Sequence, residues 1–62
     1  MNYLKLIFDL DDRYQEQFIA ELLDLDFYGF EQFDDKLIAY VEKPRYNDSN
    51  RERIEQLITI YP

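Results

Sequence analysis

The chain has no cysteine and no histidine. Their absence excludes a disulfide framework and the usual zinc sites, and leaves carboxylates as the only candidate metal ligands. One glycine and two prolines are too few for a linker or a disordered tail, and a lone Gly29 cannot build a phosphate cradle. No G-x-G-x-x-G, P-loop or G-x-S-x-G motif is present, so no catalytic or cofactor-binding residue is expected and the chain is not expected to be an enzyme by itself. There is no long apolar run, and Met1-Asn2-Tyr3 is not a basic region leading into an apolar core. Neither a membrane span nor a signal peptide is expected, and the expected compartment is the cytoplasm. Positive charge is scarce as well: 7 Lys plus Arg stand against 14 Asp plus Glu, a net charge of -7. That excess repels phosphate backbones and anionic lipid, which excludes nucleic acid and membrane surfaces as expected partners.

What is present is apolar and aromatic. Hydrophobic residues make up 47% of the 62 positions and aromatics 18%, enough for a single domain over 1–62 but for no second core. Leu4, Leu6, Phe8 and Leu10 alternate with Tyr3, Lys5, Ile7 and Asp9, the period-2 pattern of a strand with its even positions toward the core. Asp11-Asp12 then opens a helix, with Gln15 three residues after Asp12 in capping-box spacing. Tyr14, Phe18, Leu22 and Leu25 form its buried stripe, widened by Ile19 and Leu23, and its end is expected near Asp26. Phe27–Phe33 and Lys36–Glu42, separated by Asp34-Asp35, read as a hairpin, with Gly29 marking a bulge or a close backbone approach. Pro44 stops the second of these strands. Ser49 and Glu52 have the spacing of a second capping box, and Ile54, Leu57, Ile58 and Tyr61 supply one buried helical face before Pro62 closes the chain.

The order strand, helix, strand, strand, helix predicts an α+β fold, a ferredoxin-like β-α-β-β-α unit lacking its last strand, with an antiparallel sheet and both helices on one face. In that topology the missing strand would lie beside the first, whose edge is left open for a homodimer contact. The carboxylate cluster Asp9, Asp11 and Asp12 and the pair Asp34-Asp35 are explained as caps and turn formers. Asp9-Leu10-Asp11-Asp12 resembles the first half of a calcium loop but lacks the sixth-position Gly and the closing Glu, so no metal is expected.

The sheet face away from the helices is the candidate partner-binding surface. With even positions of the first strand and odd positions of the last facing the helices, Tyr3, Ile7, Phe33, Ile38 and Tyr40 point outward, rimmed by Glu31 and Glu42. RNA-binding sheets place basic residues around such aromatics, whereas here Lys5 is the only basic residue expected on that face.

Met1-Asn2-Tyr3-Leu4-Lys5-Leu6, Phe27-Tyr28-Gly29-Phe30-Glu31-Gln32-Phe33 and Leu37-Ile38-Ala39-Tyr40-Val41, followed by an acidic loop, a helix and Tyr61-Pro62, together resemble the amino-terminal domain of the PrmA-type methyltransferases that modify ribosomal protein L-11. The resemblance covers nearly the whole chain and departs from the family at Asp35-Lys36, where a Gly is usual, and in the absent fourth strand. It implies a non-catalytic substrate-recognition domain that binds a basic ribosomal protein, with L-11 the implied partner. Methylation would fall to a separate domain that binds S-adenosylmethionine, a cofactor with no counterpart residues in this chain. The alternative expectation is a stand-alone acidic interaction module or adaptor that homodimerises by pairing the first-strand edge.

Overall fold

The computed structural model describes residues 2–61, and the terminal Met1 and Pro62 named above lie outside the described residues. Five principal elements follow one another: β1 (Tyr3–Asp9), α1 (Asp12–Leu23), β2 (Phe27–Gln32), β3 (Lys36–Glu42) and α2 (Asp48–Ile60), with one 3₁₀ turn, Lys43–Arg45, after β3. The strands form one antiparallel sheet in the order β1-β3-β2. Both helices pack on one face of it, as the β-α-β-β-α reading requires.

Alternation decides which face is which. Phe8 and Leu10, then Leu37, Ala39 and Val41, turn inward and meet Phe18 and Leu22 of α1 and Ile54 and Leu57 of α2. Phe27 completes this core, and Leu4, Leu6, Tyr14, Ile19, Leu25, Phe30, Tyr46 and Tyr61 pack around it. Aromatic edge-to-face contacts tie the layers together, with Phe8 4.9 Å and Tyr61 5.6 Å from the Phe18 ring, the geometry that ring quadrupoles favour.

Local chemistry departs from the expected pattern at several points. Asp11 is the cap of α1, its carboxylate accepting from the Arg13 N–H at 3.0 Å. This hydrogen bond holds the Asp11 carboxyl below the usual carboxylate range, and the neighbouring charge of Arg13 adds to the effect. Gln15 therefore takes no part in a capping box with Asp12. It is fully buried, and its Nε2 donates to the carbonyls of Leu10 (2.9 Å), Phe33 (2.7 Å) and Lys36 (3.0 Å). One side chain thus pins the start of α1 to the closed end of the β2–β3 hairpin.

The first helix stops at Leu23, three residues before the expected end. Asp24, Leu25 and Asp26 donate to the carbonyls three residues back, and Asp26 takes a φ of 70°, a left-handed conformation that Asp tolerates better than most residues. Leu23 faces solvent instead of widening the stripe, and so does Ile58 of α2, 51% exposed. The second helix begins two residues earlier than Ser49 indicates, because Asn47 is the cap and its Oδ1 accepts from the Asn50 N–H at 2.9 Å. Asn50 Nδ2 also donates to the Leu25 and Arg45 carbonyls, fixing the loop after β3 against the α1–β2 turn. Gly29 does mark a bulge, where the β2 register shifts between Phe27 and Gly29. A Cβ there would meet the Tyr40 ring at 3.5 Å, an ordinary contact, and the φ of Gly29 is not positive, so neither space nor backbone conformation demands a glycine at the bulge.

Candidate functional site

The helix-free face is organised by the pairing of three strands. Reading across β1, β3 and β2, one row holds Lys5, Tyr40 and Gly29 and the next Ile7, Ile38 and Glu31. Tyr3 stands beside Glu42 at one end. At the other, Asp9 stands beside Lys36, and Phe33 continues the β2 line just past its last strand residue, its N–H donating to the Lys36 carbonyl at 2.9 Å. Tyr3, Ile7, Glu31, Phe33, Ile38, Tyr40 and Glu42 therefore share one face, in the parity expected from alternation.

Their accessibility differs. Ile7 is 61%, Tyr3 46% and Phe33 44% exposed, and Tyr28, in the bulge, 58%. Ile38 is only 7% exposed, because it occupies the central strand between Ile7 and Glu31. It is a floor for the patch with little surface to give a partner, which corrects its place among the docking residues. Tyr40 is half-buried in the same central strand. Its hydroxyl donates to Glu31 Oε1 at 2.6 Å, and its ring meets Tyr3 edge-on at 5.9 Å. The Glu31 hydrogen bond, then desolvation and the carboxylate charge, hold the Tyr40 phenol above its ordinary range, because ionising it would place two anions side by side.

The charge on this face also differs from the expected picture. Lys36 joins Lys5 as a second basic residue, its Nζ lying 5.2 Å from the centre of the Phe33 ring, within cation–π range. Asp9, Glu31 and Glu42 oppose these two lysines, so the face itself is close to neutral. Most of the carboxylates of the chain lie elsewhere, on the helices and at the turns. Asp34 and Asp35 act there through their backbone, their carbonyls accepting from the N–H groups of Asp12 and Leu10 at 3.1 Å each.

A second feature lies at the outer edge of β1. An open groove of about 240 Å³ is lined by Ile7, Phe8, Asp9, Leu10, Phe18, Ile58 and Tyr61. It runs between the β1 edge and the last turns of α2, on the side where a fourth strand of this topology would pair. Alternation of the core residues signalled the sheet face in the sequence, whereas the groove had no such signal because its walls come from three separate elements. No family model, curated protein or solved structure matches the chain.

Proposed function

We propose that the chain is a non-catalytic recognition domain that receives a basic protein on the helix-free face of its sheet. The observation that carries this reading is the uncovered apolar patch of Tyr3, Ile7 and Phe33 on a body of net charge -7. An exposed apolar face on a small domain is a docking surface in want of a cover, and a strongly acidic body draws basic partners into encounter. The resemblance to the recognition domain of the L-11 methyltransferases supplies the specific partner, ribosomal protein L-11. It also assigns methyl transfer from S-adenosylmethionine to a separate domain.

The test is titration of the domain with purified L-11, followed by calorimetry. Binding is expected to weaken about tenfold for Tyr3→Ser and for Phe33→Ser, each losing roughly 1.5 kcal/mol of aromatic burial. Leu23→Ser, on the opposite side of the molecule and equally exposed, should leave it unchanged. Absence of binding by the unaltered domain would remove L-11 as partner, and binding indifferent to Tyr3 and Phe33 would remove the sheet face.

A further inference from the structure

The pairing of β1 with β3 determines which backbone groups of β1 remain open. The Lys43 N–H donates to the Asn2 carbonyl at 2.9 Å and the Leu10 N–H to the Asp35 carbonyl at 3.1 Å, so the even residues between them aim their backbone groups at β3. In an antiparallel ladder the odd residues then direct theirs outward. Tyr3, Lys5, Ile7 and Asp9 thus present a row of N–H and C=O groups at the sheet edge, where among the described residues no strand pairs. Such a row is a template for another strand.

We infer that this edge pairs with β1 of a second copy of the chain, antiparallel and centred on Ile7. The inference does not rest on the docking reading above: it is carried by the backbone edge of β1, with Ile7 at the border of both surfaces. Geometry leaves few registers: because only odd residues direct donors outward, odd must face odd across the two-fold axis. Centring on Lys5 would set the two lysines directly opposite each other, a like-charge clash. Centring on Leu6 would leave Lys5 opposite Ile7, and centring on Phe8 would set Asp9 opposite Ile7. Centring on Ile7 alone places each Lys5 opposite Asp9 of the second copy, giving two opposite-charge cross-strand pairs flanking an Ile7–Ile7 pair.

The helix-side face agrees with that register. It brings Leu6 of the second copy beside Phe8 and its Leu4 beside Leu10, at the mouth of the groove lined by Phe8, Leu10, Phe18, Ile58 and Tyr61. Leu4 and Leu6 are themselves only partly buried in one copy. The product is a continuous six-stranded sheet with all four helices on one face. The carboxylates elsewhere oppose the association through their repulsion, so the two Lys5–Asp9 pairs supply specificity of register more than affinity.

Sedimentation equilibrium of the intact chain from micromolar to millimolar concentration, with circular dichroism to confirm folding of each variant, tests the inference. A monomer–dimer equilibrium is expected for the unaltered chain. Lys5→Asp and Asp9→Lys should each raise the dissociation constant about tenfold, since either one turns two attractive cross-strand pairs into repulsive ones. The double variant K5D/D9K should return to within about twofold of the original. Lys5→Asp makes the chain more acidic and Asp9→Lys less so, which separates the register from net charge. A dimer tightened by Asp9→Lys, or one indifferent to both changes, would overturn the pairing. A monomer at every concentration would overturn it too, and would leave the edge to a strand of another protein.

Discussion

Gln15 Nε2 faces three main-chain carbonyls, of Leu10, Phe33 and Lys36, between 2.7 and 3.0 Å away. Two amide hydrogens serve the three acceptors, so at least one is shared. The residue is completely buried, and its Oε1 has no partner among the described residues, an asymmetry that makes the nitrogen the working end of the side chain. Replacing Gln15 by Leu keeps the volume and removes the donors, so the Leu10 and Phe33 carbonyls lose this partner at roughly 1–3 kcal/mol apiece, while the Lys36 carbonyl keeps the Phe33 N–H. The expected loss is about 3 kcal/mol in urea unfolding, a large part of the roughly 3–9 kcal/mol that a chain of this length commands. Gln17→Leu, on the exposed side of the same helix, should stay within about 0.5 kcal/mol. Equal effects of the two substitutions would mean that Gln15 acts through helix propensity and not through its three carbonyls.

At the scale of elements, the start of α2 distinguishes two capping assignments. Asn47 Oδ1 accepts from the Asn50 N–H at 2.9 Å, whereas Ser49 lies within the helix. Asn47→Ala is therefore expected to cost about 1 kcal/mol in urea unfolding and Ser49→Ala no more than about 0.5 kcal/mol. The reverse order would restore the S-x-x-E cap that the sequence displays. This near miss shows what the sequence discloses and what it does not. Strand parity and helix stripes were legible, since alternation at Leu4, Leu6, Phe8 and Leu10 and the spacing of Phe18 and Leu22 follow directly from backbone geometry. The face shared by Tyr3, Ile7, Glu31, Phe33, Ile38, Tyr40 and Glu42 came with that parity. Caps were less legible, because Asp11 and Asp12 compete for one position, as do Asn47 and Ser49, and tertiary contacts choose between them. The role of Gln15 was hidden for the same reason: two of its carbonyl partners lie 18 and 21 residues away. Ile58 and Leu23 carried correct helical spacing yet remain exposed, since a three-stranded sheet is too narrow to cover both flanks of the helices.

For the molecule as a whole, charge and shape act together. The chain extends 30 × 23 × 15 Å and carries a net charge of -7. At about 0.05 M salt the Debye length is roughly 14 Å, close to the thinnest dimension of 15 Å, so the acidic field of the helices and turns reaches the near-neutral sheet face, whereas at physiological salt, roughly 8 Å, it is largely screened there. The ion pairs among the described residues, Arg13–Asp11, Arg45–Asp26, Arg51–Asp48 and Arg53–Glu21 at 3.0 to 3.9 Å, all lie in solvent. Pairs of that kind contribute little to stability, so the net effect of charge on the folded state is self-repulsion. Opposite responses to salt follow for folding and for capture of a basic protein. Raising sodium chloride from about 0.05 to about 0.5 M should raise the melting temperature by screening that repulsion. If L-11 docks as proposed, the same change should slow its association by about tenfold or more, because steering acts on the encounter. Dissociation should change far less, since the proposed contacts with Tyr3 and Phe33 are apolar and insensitive to screening. Stopped-flow association and dissociation rates measured across that range give both numbers. A fall in affinity that came mainly from faster dissociation would place the essential contacts on carboxylates outside the sheet face, and would move the docking surface to the acidic side of the molecule.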